Sequence, residues 1–373
     1  MALINRRKVL RDGAILLATG VASACAAPRA AVETAASGSI AWEHKVDGGV
    51  LGLRYGPGAV AVETEAGLTG VDARSGREAW RLPITASGIS HRSCVQSGVL
   101  TVCGIESDAA RVVSVDMASG ERKWSFDAPE GVTLDGAFGV RDSVLYLIAS
   151  GPGKGGREVW AVDIRTKSMR WQVPCDGEAL YVPDSGPHLY NQGPGRSGTL
   201  TALDLGTGAT VWSRPGDSGI YATTAASGLV DGSVLVTDGA HTISGLDPKT
   251  GAALWNTPAL SYAADTVFGS ADTYYLCDGS KLHAMRPGGD AAPLWSLTVS
   301  DQGEAVDAAG YAAAGAFYLL AARTVRAIDA RTSKVRWMQS IPDKPGSEVR
   351  FAVGEAHCYA ESADGGAVVA LVR

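Results

Sequence analysis

Short runs of alternating apolar and polar residues recur along the chain, each followed by a tight polar turn and a second run that ends near a tryptophan. Leu200-Thr201-Ala202-Leu203 has the period of two expected of a half-buried strand. The turn Asp204 to Gly208 follows, and then the run that reaches Trp212. The same order appears in VDARSGREAW at 71–80, VDMASGERKW at 115–124, VDIRTKSMRW at 162–171, LDPKTGAALW at 246–255 and IDARTSKVRW at 328–337. A degenerate copy, MRPGGDAAPLW, ends at Trp295, with Arg286 in place of the aspartate and one residue more. Trp42, Trp80, Trp124, Trp171, Trp212, Trp255, Trp295 and Trp337 thus stand roughly 38 to 47 residues apart, an interval typical of propeller blades. Trp160 lies outside the series. Further strand signals precede the copies, at 99–102, 144–148, 233–236, 273–276 and 316–320.

The local chemistry of a copy is readable. Asp72, Asp116, Asp163, Asp204, Asp247 and Asp329 are placed to close their turns, since an aspartate accepts hydrogen bonds from N–H groups two or three residues on. Glycine five positions into the turn supplies positive φ without a Cβ clash. Lys167 and Ser333 replace it in two copies, which predicts strained turns there. Two residues before the aspartate position a small side chain stands every time: Gly70, Ser114, Ala161, Ala202, Gly245, Ala284, Ala327 and Ala370. A small residue in one strand and a tryptophan in the next predict an aromatic packing where backbones approach closely. The tryptophans are read as structural, docking blade against blade.

Counting the small-residue positions gives eight blades. The chain enters the pattern at Ile40-Ala41-Trp42, a second half without its first, and ends it at Val368-Val369-Ala370-Leu371, a first half without its tryptophan. Joining the two halves predicts a ring in which the N-terminal strand completes the last blade and leaves no open sheet edge. The expectation is an all-β, eight-bladed β-propeller of four-stranded antiparallel blades over residues 39–373.

Composition and charge add a compartment. The 47 glycines and 16 prolines suit short strands and many turns. Residues 1–24 read as an export signal: Arg6-Arg7 resembles a twin-arginine motif, and the apolar stretch 13–21 is too short for a bilayer, which needs about 20 residues. Ala22-Ser23-Ala24-Cys25 resembles a lipobox, with Ala22 where leucine is usual, so Cys25 is the expected lipidation site. Cleavage after Ala24 or Ala26 without lipidation is the other reading, giving a secreted or periplasmic protein. Residues 25–38 form the expected tether. Removing residues 1–24 takes away four basic side chains and one acidic one, so the formal charge of −6 becomes −9. Nucleic acid, which needs a basic stripe, is not an expected partner.

Of the remaining cysteines, Cys94 and Cys103 flank a hairpin turn at Ser97-Gly98 and could approach as a disulfide in an oxidising compartment. Cys103, Cys277 and Cys358 hold similar places in successive strand runs, which equally reads as buried thiols. Five is odd, so at least one stays unpaired. The Gly/Pro-rich stretches 151–156 and 193–198 read as long loops. Loops at 151–156 and 183–198, with Tyr190 and Arg196 as exposed contacts, are the candidates for binding, because function sits on loops held by a rigid scaffold.

These copies resemble the pyrroloquinoline-quinone (PQQ)-like repeat, Ala-x-Asp-x-x-Thr-Gly-x-x-x-Trp, which Ala202, Asp204, Thr207, Gly208 and Trp212 match at every fixed position. The resemblance covers essentially residues 40–373 and implies an eight-bladed propeller whose tryptophans dock neighbouring blades. It implies a quinone cofactor only where the dehydrogenases of that family hold one, between a tryptophan and a Cys-Cys pair. This chain has no Cys-Cys dipeptide and no Cys-x-x-Cys-His. No cofactor, metal or catalytic residue is therefore expected. His188 reads as a strand or loop residue, and 151–156 lacks the Ser/Thr of a phosphate loop. The BamB-like lipoproteins of this family, lipid-anchored scaffolds, are similar in size and layout. The function expected is a non-enzymatic, membrane-tethered binding or scaffold protein outside the cytoplasm, meeting an envelope protein or polymer. A quinone-dependent oxidoreductase or small-ligand-binding propeller is the alternative.

Overall fold

The computed structural model describes residues 36–86, 93–106, 109–151, 156–177, 179–183, 185–193, 198–215, 233–237, 242–257, 266–269, 272–277, 280–288, 292–299, 308–313, 315–321, 324–341, 350–362 and 366–373. The expected export signal, Cys25 and most of the tether lie outside the described residues, as does Arg196.

Among the described residues all regular structure is strand, arranged as antiparallel sheets that follow one another along the chain. The first sheet is Val50–Gly56, Ala59–Thr64, Gly67–Asp72 and Glu78–Leu82. The second has its inner strand in two pieces, Thr85–Ala86 and Ser93–Gln96, both paired with Val99–Glu106 and followed by Ala109–Asp116 and Arg122–Asp127. The third is Thr133–Arg141, Val144–Ser150, Arg157–Asp163 and Ser168–Cys175, and the fourth Ala179–Tyr181, His188–Gln192, Leu200–Asp204 and Thr210–Arg214. The fifth shows three strands, Val234–Thr237, Ile243–Leu246 and Ala253–Asn256, and residues 216–232 before it lie outside the described residues. The sixth runs from Thr266–Gly269 to Trp295–Thr298 and the seventh from Ala308–Ala313 to Val335–Ser340. The eighth joins Phe351–Val353, His357–Glu361 and Ala367–Val372 to Ile40–Lys45.

Each sheet buries its apolar face against the next. Leu100 and Val113 of the second pack with Ala61 and Trp80 of the first, and Tyr359 and Val368 of the eighth pack with Val60 and Val71 of the first. The architecture is a propeller of radially packed blades, which leaves only short sheet edges.

The tryptophan sits directly opposite the small residue in all eight sheets: Gly70↔Trp80, Ser114↔Trp124, Ala161↔Trp171, Ala202↔Trp212, Gly245↔Trp255, Ala284↔Trp295, Ala327↔Trp337 and Ala370↔Trp42. A side chain at Gly70 or Gly245 would collide with the ring across from it. The register slips by one residue beside the tryptophan in seven sheets, a bulge that turns the ring toward the following blade. In five blades a tyrosine completes the row on the second strand: Tyr146, Tyr190, Tyr275, Tyr318 and Tyr359.

The docking partner is the turn of the next blade. Asp72 Oδ1 accepts from the Arg74 and Ser75 N–H groups and from Ser75 Oγ, and Asp204 Oδ1 repeats the pattern with Gly206 and Thr207. Asp116, Asp163, Asp247 and Asp329 likewise accept from backbone N–H groups in their turns. The carbonyl just after the aspartate then accepts the tryptophan Nε1–H of the preceding blade: Trp42 to Ala73 at 3.3 Å, Trp80 to Met117 at 2.8 Å, Trp171 to Leu205 at 3.0 Å, Trp212 to Pro248 at 3.0 Å and Trp295 to Ala330 at 2.9 Å. Lys167 and Ser333 hold the glycine position at φ +55° and +58°, strained for an L side chain.

The eighth blade rebuilds this turn from two distant segments. Gly38, at φ +84° against the Trp337 ring, donates its N–H to the Val372 carbonyl at 2.7 Å, as Gly208 does to Asp204. Val372 stands where the aspartate stands elsewhere. Arg373 follows it, with its guanidinium 4.7 Å from the Tyr318 ring centroid and its Nε–H donated to Tyr318 Oη.

Candidate functional site

The antiparallel order places every turn described above at one end of the blades. The connections from second to third strand, and from each blade to the next, lie at the other end. The stretches 151–156 and 193–198 belong to this loop end, with 152–155 and 194–197 outside the described residues. Gly193 donates its N–H to the Thr199 carbonyl at 2.8 Å and closes the base of the second stretch. Between the third and fourth blades, at this end, lies a cavity of about 1000 Å³.

One substitution in the repeat lies in its wall. The residue after the one that faces the small residue is a buried aliphatic on the second strand of six other blades: Val62, Val102, Leu147, Leu276, Leu319 and Ala360. The fifth blade has Val236 in the same register. The fourth blade has Asn191, only 6% exposed. Asn191 pairs across the sheet with Thr201, and Thr201 with Ser213, so the three share one face. The Thr201 and Ser213 hydroxyls are 3.4 Å apart. Asn191 Nδ2 donates to the Ala179 carbonyl at 3.4 Å, and its amide lies so close to Gly177 that any side chain there would overlap it.

The third blade supplies the opposite wall. Arg157 Nε lies 3.2 Å from Asp135 Oδ2, which also accepts from Ser150 Oγ at 3.1 Å. Arg157 pairs in register with Cys175, and Asp176 follows at the exit from the blade. Burial pushes the Cys175 thiol above its ordinary value, so it stays protonated near neutrality and is a poor nucleophile. The described wall combines neutral hydrogen-bonding groups, the Arg157–Asp135 ion pair and the carboxylate of Asp176.

Two sequence expectations need correction. Tyr190 is not an exposed contact: it is 1% exposed and tilts against Trp212 at 5.7 Å between ring centroids. Its side chain belongs to the inter-blade row, on the sheet face opposite that of Asn191. Cys94 and Cys103 are both free thiols. The hairpin register pairs Cys94 with Thr101, leaving Cys103 two residues farther along, a diagonal of about 7–8 Å that a disulfide does not span. Burial pushes Cys94 up to about 12, and Cys277 and Cys358 are buried as well. His188 is a buried strand residue of the fourth blade. Asn191 escaped sequence reading. The signal was present, but only once strand registers were aligned could its place be compared with the aliphatics.

A family model described as Outer membrane protein assembly factor BamB matches residues 108–263 and 196–371. No curated protein sequence matches the chain significantly. Among solved structures, BamB from Moraxella catarrhalis is similar with a TM-score of 0.61 at 14% identity, covering 90% of this chain and 99% of that one. A computationally designed protein is similar with a TM-score of 0.66 at 15% identity, over 88% of this chain and 98% of its own. A quinohaemoprotein alcohol dehydrogenase from Pseudomonas putida is similar with a TM-score of 0.58 at 14% identity, over 90% of this chain and 76% of the enzyme. At these identities the likeness is one of fold.

Proposed function

The chain belongs to the family of the outer membrane protein assembly factor BamB, and from that premise we propose that it is a non-catalytic binding or scaffold propeller, tethered outside the cytoplasm by a lipid on Cys25. Its partner is an envelope protein or polymer met at the loop end of the third and fourth blades. The observation that carries this reading is the division of labour along the blades. The repeated tryptophans and aspartates are engaged in holding the ring at the turn end, whereas the loop end of the third and fourth blades breaks the repeat and opens a cavity.

The residues do not fit a quinone held against a tryptophan. All nine tryptophans pack within the blade cores or against neighbouring turns, Trp160 included, whose Nε1–H goes to Glu158 at 2.9 Å. None is left to cover a planar ligand in a channel.

Affinity capture from detergent-solubilised envelope tests the proposal, using the native chain, Cys25→Ala and a deletion of residues 194–197. A partner enriched on the native chain and lost on the loop deletion is expected, with Cys25→Ala moving the protein out of the membrane fraction. Equal capture by the deletion variant would refute the assignment to this end. Unchanged membrane retention of Cys25→Ala would refute the anchor.

A further inference from the structure

We infer that the cavity between the third and fourth blades binds an uncharged, polyhydroxylated ligand, a short stretch of neutral glycan. The inference rests on reading the chain as a binding propeller and names what one of its surfaces takes.

Four observations converge. First, Asn191, at the cavity wall, occupies a position that six other blades fill with a buried aliphatic side chain. A buried polar group in place of a core residue is costly unless it is hydrogen-bonded, and the one bond Asn191 makes, at 3.4 Å, is long. A carboxamide has two N–H donors and an acceptor oxygen, more than that one bond uses.

Second, Asn191, Thr201 and Ser213 form a row running from the second strand to the outermost one. With strands about 4.8 Å apart the row extends about 10 Å, longer than a single sugar ring. Thr199 and Thr210 add hydroxyls along the same groove. Amides and hydroxyls each donate and accept, and the group that answers both at once is another hydroxyl.

Third, the described wall carries no uncommitted cation: Arg157 is compensated by Asp135, and the other charged residue among the described lining is the acidic Asp176. Recognition of phosphate or carboxylate calls for convergent, uncommitted cations, and the described wall offers none. Fourth, no aromatic side chain is among the described residues that line the cavity, and Leu203 and Pro174 supply its main apolar atoms there. A polypeptide partner would need deep apolar or aromatic pockets for anchoring side chains. The volume, about 1000 Å³, suits an oligomer rather than an ion.

The test is a titration of the full propeller with maltotetraose, cellotetraose, mannotetraose, galactotetraose and chitotetraose, read by saturation-transfer NMR and calorimetry. Asn191→Leu restores the aliphatic of the other blades and folds at least as stably. Thr201→Val removes a hydroxyl at constant volume. At least one tetrasaccharide is expected to bind, with each variant weakening it roughly tenfold or more at unchanged or higher melting temperature. No binding by any of the five, or binding that both variants leave intact, overturns the inference. So does a Ser/Thr-rich uncharged decapeptide that binds when no glycan does and is lost in Asn191→Leu. Partner capture by the native chain, when none of the five tetrasaccharides binds it, would remove this inference and leave the broader binding role standing.

Discussion

Two adjacent seams of the ring, fourth blade to fifth and fifth to sixth, are made to different standards. At the first, Trp212 donates its Nε1–H to Pro248 at 3.0 Å, and Gly251 at φ +70° lets the ring close down on the turn. A Cβ at Gly251 would lie 2.7 Å from Trp212 Cδ2. At the second, Arg286 replaces the aspartate, and the Trp255 Nε1–H is buried without a partner. Trp255 instead stacks on Tyr274 of the next blade, 5.7 Å between centroids and 16° between planes, and a Cβ at Gly288 would lie 3.5 Å from Trp255 Cβ, an ordinary contact. The sixth blade is also the one sheet whose register does not slip beside its tryptophan. Its sequence is one residue longer between Ala284 and Trp295 than in the other copies. One missing aspartate and one added residue thus change a hydrogen-bonded dock into a stacked one.

The comparison breaks if the two tryptophans count equally. Trp212→Ala is expected to cost about 3–5 kcal/mol, and Trp255→Ala about 1–2 kcal/mol less, because no bond to a turn carbonyl is lost with it. Urea unfolding of both variants measures the difference, and identical midpoints would show the stacked seam to be as strong as the bonded one. Glycine replacements sharpen the same contrast. Gly251→Ala combines overpacking with left-handed strain and should cost about 2–4 kcal/mol, whereas Gly288→Ala carries the strain alone, about 1–2 kcal/mol. Asp247→Ala removes the acceptor for the Lys249 N–H and should cost about 1 kcal/mol, while Arg286→Asp should gain no more than that. Thermal melts resolve both.

The smallest effect per residue is the response to acid. Hydrogen bonds from Arg170 and the turn N–H groups hold Asp163 at about 2, and hydroxyl and backbone donors lower Asp72, Asp116 and Asp204. The Arg336 side chain is the main cause of the lowering at Asp329. A carboxylate whose folded pKa lies below its unfolded one stabilises fully above the unfolded value, near 3.9, and loses that contribution as pH falls through the folded value. The melting temperature should therefore hold from pH 7 to 5 and fall between about pH 4 and 2. Asp163→Asn should flatten that fall; an unchanged profile would mean the turns do not set it.

The sequence showed the turn end almost completely, because each of its parts depends on residues close in the chain. Asp204, Thr207, Gly208 and Trp212 declare a local turn and the strand after it. Relations across sheets were harder to see. Gly38 was passed over as tether although Gly38 and Trp42 keep the Gly-x-x-x-Trp spacing, since the carbonyl that completes its turn is on Val372. Tyr190 looked like a loop side chain because its burial against Trp212 depends on register. Asn191 looked ordinary for the same reason. Asn191 stands out only as an exception to a core pattern, and that pattern is assembled in space.

The pairing of Ile40–Lys45 with Ala367–Val372 has a kinetic consequence. Every other strand pairing joins segments near in sequence, but this one closes a loop of more than 320 residues. Relative to a ten-residue hairpin, that closure costs about 3 kcal/mol more in chain entropy. The strand nearest the tether therefore settles last, once the remaining blades have shortened the distance between its partners. With the proposed lipid on Cys25, it would also be the first point at which a pull from the membrane is felt. A load on residue 36 acts on the edge strand that pairs with Ala367–Val372, so the proposed anchor would stand in series with the latest-forming contact of the propeller.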